Sequence, residues 1–234
     1  MAILKKIWNK RSILRSLPYT IYFNFHYLPL KQAWKLPILL YKPELLDMKG
    51  KVILDFPNIK TGIVKMGFRS VSLYPNGGIM WENHGGTVIF KGKCEIGNAS
   101  AISVGDTGNV EFGDNYLSTT SVKIVSYCSI KFGKNVRVAW EALIMDTSFH
   151  KLKAMDGTKK GETLAPIVIG DNNWIPIRCT ILKGTKTPDY CIFGAGSLLN
   201  KDYTDHPTHS LLAGNPPTVK VTNIWRDVND DSMV

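Results

Sequence analysis

Ile169, Ile175, Ile181, Thr187, Phe193 and Leu199 follow one another at intervals of six residues without a break. A helix repeats every 3.6 residues or so and a strand about every 2, so neither alone produces this beat. The same interval joins Ile96 to Ile102, then Phe112, Ser118 and Ile124, then Phe132, Val138 and Ile144, with short slips between the runs. A short strand and a tight corner together consume six residues. Three such sides close a triangular coil of roughly 18 residues, a unit that buries its inner face by stacking on its neighbours. Stacked coils pair through backbone hydrogen bonds about 4.8 Å apart. The expected fold is all-β, a parallel β-helix with the residue on the beat pointing inward.

Two further patterns accompany the beat. A small residue often follows four positions later, as at Ser100, Ala142, Ser148, Cys179 and Ser197, where a constricted corner would reject a larger side chain. Glycine often follows directly, at Gly97, Gly113, Gly133, Gly170 and Gly194, and the tetrads FGDN (112–115), FGKN (132–135) and IGDN (169–172) are near copies. Glycine and asparagine tolerate the positive φ that corners often require.

The bulk composition sets limits. With 44% apolar and 21% charged residues the chain has the balance of a folded globular protein. Cys94, Cys128, Cys179 and Cys191 lie far apart and form no CxxC pair, so neither a zinc site nor a disulfide framework is expected, and no metal. A reducing cytoplasm is the simplest home. No stretch reaches the roughly 20 apolar residues of a membrane span, and no secretory leader is evident.

The net charge of +10 is concentrated at one end. Residues 1–60 carry eleven Lys/Arg against three Asp/Glu, and the other 174 carry 18 against 16. A nucleic-acid binder would be basic throughout, so nucleic acid is not an expected partner. Residues 3–17 put Ile3, Ile7, Leu14 and Leu17 near one helical face, with Lys5, Lys6, Lys10, Arg11 and Arg15 mostly elsewhere. Residues 18–43, punctuated by four prolines, are expected to be irregular or briefly helical. Such an arm suits either packing on the protein itself or a neighbouring subunit, or peripheral contact with the inner face of an anionic membrane. The expected organisation is an arm over 1–48, a β-helix over 49–205 with an inserted loop at 146–167, and an extension over 206–234.

The stretch 167–221, "IVIGDNNWIPIRCTILKGTKTPDYCIFGAGSLLNKDYTDHPTHSLLAGNPPTVKV", carries a more specific signal. It resembles the hexapeptide-repeat acyltransferases, most closely at Ile169–Trp174, Gly194–Asp202 and Gly214–Pro216. Within that family it is most similar to the branch of maltose, galactoside and capsular-polysaccharide O-acetyltransferases. The resemblance covers roughly residues 90–220. It implies a left-handed parallel β-helix, a homotrimer, acetyl-CoA as acyl donor and a sugar or glycan acceptor. N-acetylation of a nucleotide-linked amino sugar is an alternative with the same chemistry, and a non-catalytic structural β-helix is a third reading.

Between Ile144 and Ile169 the beat stops for a polar loop containing His150. Loops on rigid scaffolds project the groups that chemistry needs. In the resembling family such a loop presents the catalytic histidine to a cleft between subunits, and His150 is the residue that matches. A neutral imidazole, with an ordinary pKa of about 6.5, takes a proton from an acceptor hydroxyl at neutral pH. Asp146, or Glu162 at the far end of the loop, is the candidate to orient it. The resemblance assigns coenzyme contacts to Trp174, Ile177, Ala195, Asn200 and Lys201, and charge adds Lys183 and Lys220 as phosphate partners. Acceptor positions fall at Thr119 and Tyr127, which lack the family's amide and carboxylate, so a simple galactoside is not the expected acceptor. His84, in "WENHGG", is a further acceptor candidate. Pro176, the pair Thr187–Pro188 and Pro217 depart from the family's usual residues and alter corner backbone.

Overall fold

The structure, a computed structural model, describes residues 2–228, with side chains from Leu14 onward. The chain winds repeatedly over three faces in the same order. Face A has nine strands, from Ile38–Leu40 to Pro217–Thr222. Face B has seven, from Pro43–Met48 to Leu198–Leu199, and face C has five, from Lys51–Leu54 to Ile167–Ile169. All pairings between these strands are parallel except the last, where Pro217–Thr222 turns back along Ser210–Gly214. This is the parallel β-helix expected from the beat.

The register places beat on beat. Ile124 lies opposite Ile102 and Ile144 on face B, and Ile144 opposite Ile181, which in turn meets Leu199. On face C, Phe132 lies opposite Phe112 and Ile169. These side chains are at most 2% exposed and form one continuous core. Phe90, Phe112 and Phe132 stack nearly flat, with centroids 5.3 and 5.5 Å apart, so the coil spacing also suits aromatic stacking. Ser100, Ala142, Cys179 and Ser197 are buried at the start of face B. Ser148, which shares their spacing, sits instead in the inserted loop.

The corners divide the labour differently from the sequence expectation. The left-handed residues of the tetrads are the asparagines, Asn115, Asn135 and Asn172, with φ of 58°, 55° and 59°. Their amides join in a ladder, Asn115 Nδ2 donating to Asn135 Oδ1 at 2.8 Å and Asn135 Nδ2 to Asn172 Oδ1 at 2.9 Å. The glycines that follow the beat are not needed for positive φ. They are needed because the next coil passes too close. A Cβ at Gly97 would lie 1.4 Å from the Thr119 carbonyl oxygen, and one at Gly113 would lie 2.3 Å from that of Gly133.

Both ends of the prism differ from the expected boundaries. A single helix, α1 (Ala2–Tyr27), runs straight through Pro18, longer than the predicted segment. Tertiary contact explains its length. Lys42 N donates to Ser16 Oγ (2.9 Å), Leu40 N to Thr20 Oγ1 (3.1 Å) and Ile38 N to Asn24 Oδ1 (3.1 Å), while Asn24 Nδ2 donates to the Ile38 carbonyl (2.7 Å). Three polar residues four apart thus satisfy the open edge of the first strand, which would otherwise invite another chain. The coils therefore begin at Ile38, not at 49, and the segment 206–234 contributes the last two strands of face A. Ile3 and Ile7, expected on the helix's apolar face, lie outside the described side chains. No helix among the described residues is long and apolar enough to cross a membrane.

Two substitutions test this construction. Gly97→Ala forces backbone of two coils apart and is expected to cost about 3 kcal/mol, at the upper end of overpacking effects, measured as a lower denaturation midpoint. Asn24→Ala leaves a buried N–H and C=O of the first strand unpaired and is expected to cost about 2–3 kcal/mol in the same experiment.

Candidate active site

The faces define three edges, and the one that follows face B gathers most of the candidate residues. Reading up this edge, the coils contribute Asp47 and Lys49, then His84, then Gly105–Thr107, then Tyr127, then the inserted loop, then Lys183, then Asn200 and Lys201. Stacking follows backbone hydrogen bonds: His84 N donates to the Val104 carbonyl at 2.8 Å, and Gly105 N to that of Ser126 at 2.8 Å. His84 stands three rungs below the loop, roughly 14 Å at about 4.8 Å per rung.

The loop, residues 146–166, is a twisted ribbon rather than loose chain. Thr147 pairs with Leu164 and Lys153 with Lys159 in antiparallel bridges, with Met155 at the tip. Asp146 anchors the stem. It is fully buried, and its carboxylate accepts from Ser126 Oγ (2.7 Å), Tyr127 N (2.7 Å) and Cys128 N (3.0 Å). The expectation that Asp146 orients the imidazole is therefore corrected: its acceptor capacity is turned inward to the neighbouring coil. Glu162 is spent on Lys159, at 2.7 Å, and that contact lowers its pKa.

His150 is exposed, and its imidazole makes no side-chain hydrogen bond among the described residues. It opens on a hollow of about 170 Å³ shared with Ser148, Leu152, Glu162, Thr163 and Lys183. Lys183 Nζ donates to Ser148 Oγ at 2.9 Å, which brings one predicted phosphate partner beside the predicted base. Phe149, immediately before His150, holds φ of 57°, a conformation that costs a bulky residue about 1–2 kcal/mol. Its ring meets the Tyr127 ring edge-on at 5.1 Å, a contact that offsets the strain and fixes the backbone next to His150. Tyr127 in turn lies over Gly105, where a Cβ would fall 2.4 Å from the ring.

Below Tyr127 the edge widens into an open groove of about 410 Å³, lined by Lys49, His84, Gly105, Asp106, Thr107 and Tyr127. His84 Nδ1 lies 3.0 Å from Asp47 Oδ2, and Nε2 lies 3.4 Å from Glu82 Oε1. The hydrogen bond from Lys49 holds the Asp47 carboxyl down at about 2. The structure thus brings His84 and Tyr127 together, with Lys49, Asp106 and Thr107 as groove residues that sequence reading missed. No sequence signal marked those three, since they come together only when four coils stack.

The other candidates lie elsewhere on the prism. Thr119, Ile177 and Ala195 fall on the edge after face A, Trp174 is 40% exposed on face A itself, and Lys220 is exposed on the final antiparallel strand. One chain does not bring this group into contact with His150. Asn200 and Lys201 share the edge of His150 but lie above it, with Lys201 Nζ 5.5 Å over the Tyr203 ring. The cysteines are poor nucleophiles. Burial pushes the thiols of Cys179 and Cys191 up to about 11 and raises that of Cys94 well above its ordinary value. Cys128 is half-buried, and burial raises its thiol pKa as well.

No protein-family model matches the chain. It is 30% identical over 126 residues to the galactoside O-acetyltransferase of Escherichia coli (strain K12), covering 52% of this chain and 56% of that protein. It is 32% identical over 124 residues to a protein of Staphylococcus aureus (strain MRSA252) that is an acetyltransferase by name, covering 45% and 60%. The chain thus spans little more than half the length of the curated relatives it matches. Among solved structures, the polySia-specific acetyltransferase NeuO aligns with a TM-score of 0.46 at 18% identity, over 82% of this chain and 92% of that one. A galactoside acetyltransferase in complex with coenzyme A aligns with a TM-score of 0.36 at 16% identity, over 92% and 82%.

Removal of the Asp146 carboxylate tests its anchoring role. Asp146→Ala leaves two part-buried amides without their acceptor at a cost of about 1–2 kcal/mol, so local opening of the stem rises by roughly tenfold. Trypsin is expected to cut the native protein correspondingly faster at Lys151–Lys160, and an unchanged cleavage rate would show that the carboxylate does not hold the loop.

In sequence, and in the beat of its coils, the chain resembles the hexapeptide-repeat acetyltransferases.

Proposed function

We propose that this protein is an acetyl-CoA-dependent O-acetyltransferase that transfers acetyl to a sugar hydroxyl of a surface glycan or its precursor. The observation that carries the proposal is the one long interruption of the coils. It sets an uncommitted imidazole, that of His150, beside Lys183 and above a groove containing His84 and Tyr127, all on one edge. The similarity to galactoside O-acetyltransferase supports the reaction class.

In this reading, His150 takes the proton from the acceptor hydroxyl as its oxygen bonds to the thioester carbonyl carbon. The tetrahedral oxyanion collapses, the carbon–sulfur bond breaks, and the imidazolium returns its proton to the departing thiolate. The products are an acetyl ester and free coenzyme A. No covalent enzyme intermediate is needed, which agrees with the raised cysteine pKa values. Catalysis by such a base typically contributes about 10²–10⁴-fold.

The working unit in this proposal is a homotrimer. A hollow of about 170 Å³ is smaller than the range of roughly 300–1,000 Å³ usual for ligand sites. The coenzyme candidates Trp174, Ile177 and Ala195 occupy a face and an edge that a second protomer would have to bring opposite His150. The ribbon exposes Phe149, Leu152, Met155 and Leu164, an apolar rim suited to that neighbour. The location that fits is the cytoplasmic side of a membrane, where glycan precursors are presented on lipid carriers.

Release of free thiol from acetyl-CoA, followed with a panel of oligosaccharide acceptors, tests the assignment. His150→Ala is expected to lower turnover by about 10²–10⁴-fold while coenzyme binding measured by calorimetry is retained. Turnover equal to that of the unmodified protein would remove His150 from the reaction.

A further inference from the structure

The lower end of the prism carries a surface that acetyl transfer does not use. Helix α1 buries Ser16, Thr20, Phe23 and Asn24 against the first coil and turns its other side outward. Leu14, Leu17 and Ile21 form a stripe three and four residues apart along that side, with Tyr22 at its margin. Helix α2 (Leu30–Ala33) and the residue after it add Leu30 and Trp34. All six side chains are 42–75% exposed. The Phe25 ring packs edge-on against Trp34 at 5.1 Å, which joins the two helices into one patch. A contiguous apolar area of this kind marks an interaction site.

The charge around it identifies the occupant. Residues 1–43 contain eight Lys/Arg and not one Asp or Glu, so nearly all of the chain's +10 net charge lies in this segment. Arg15, Lys31 and Lys35 are exposed near the patch. A second copy of the same end would oppose eight like charges with eight more. A layer that is apolar inside and anionic at its surface matches both features, and Trp and Tyr are the side chains favoured at its boundary. We propose that this end of the prism docks on an anionic lipid bilayer, with α1 lying in the plane of the headgroups.

This deepens the membrane-side location in the proposed function and gives the groove a direction. With the coils stacked away from the bilayer, the ribbon of His150 stands four rungs above the first strand of face B, roughly 19 Å at about 4.8 Å per rung. A lipid-anchored glycan rising along that edge passes His84 and Tyr127 before it reaches His150. The significance of that path rests on the acetyl-transfer reading, but docking itself does not.

Flotation of the full chain with vesicles of phosphatidylcholine alone, or of equal parts phosphatidylcholine and phosphatidylglycerol, separates the possibilities. Binding is expected to favour the anionic vesicles by about tenfold or more and to weaken in high salt. Leu17→Asp combined with Ile21→Asp is expected to abolish most of that binding, and Trp34→Ala to weaken it, with circular dichroism and light-scattering mass unchanged because the altered side chains are exposed. Equal binding to both vesicles, binding to neither, or retention by the double variant overturns the proposal. A fall in oligomer mass in the double variant would make the patch an interface between copies and overturn it equally. Vesicle binding and thiol release are read separately, so either result stands without the other.

Discussion

The spacing between successive rungs governs this molecule. Parallel backbone hydrogen bonds hold each coil about 4.8 Å from the next, and every side chain must accept that distance. Inside, it suits the flat stack of Phe90, Phe112 and Phe132 and the isoleucine column on face B. At the corners it leaves no room for a Cβ at Gly97 or Gly113. It also aligns corner with corner, so that residues about 20 apart in sequence, or 37 where the inserted loop intervenes, become neighbours on an edge. The asparagine ladder of Asn115, Asn135 and Asn172 exists for that reason alone.

A prism of this kind is stiff and featureless unless its winding is interrupted. The interruption after Met145 is anchored by a buried carboxylate, folded into a ribbon and locked by the contact of Phe149 with Tyr127. What looks like a flexible insertion is held at both its stem and its first turn. Pre-organisation of this sort spares a base the entropy of finding its place. The groove beneath it uses the same alignment, since Asp47, His84 and Tyr127 occupy three different coils of one edge.

The interior was the most legible part of the sequence, because burial on a repeating scaffold writes itself as a period. The tetrads likewise marked corners correctly, although the physical reason for glycine lay in the neighbouring coil and not in its own φ. Asp146 illustrates why site partners are harder to read. Its closeness to His150 in sequence suggested a shared task, whereas its hydrogen bonds run to residues 126–128, one turn of the prism away. Lys49, Asp106 and Thr107 gave no sequence signal, as none has a local partner that announces a groove. The N-terminal boundary was misjudged because the first coil lacks the beat, and α1 supplies side chains where a preceding coil would supply backbone.

The account turns on the position of one imidazole relative to a bound thiol. A crystal structure of the assembled protein with coenzyme A measures this directly. The account predicts the coenzyme sulfur within about 5 Å of a ring nitrogen of His150, the reach of a hydrogen bond or one bridging atom. A sulfur bound more than about 10 Å from that ring, with the ribbon in its present position, would contradict it.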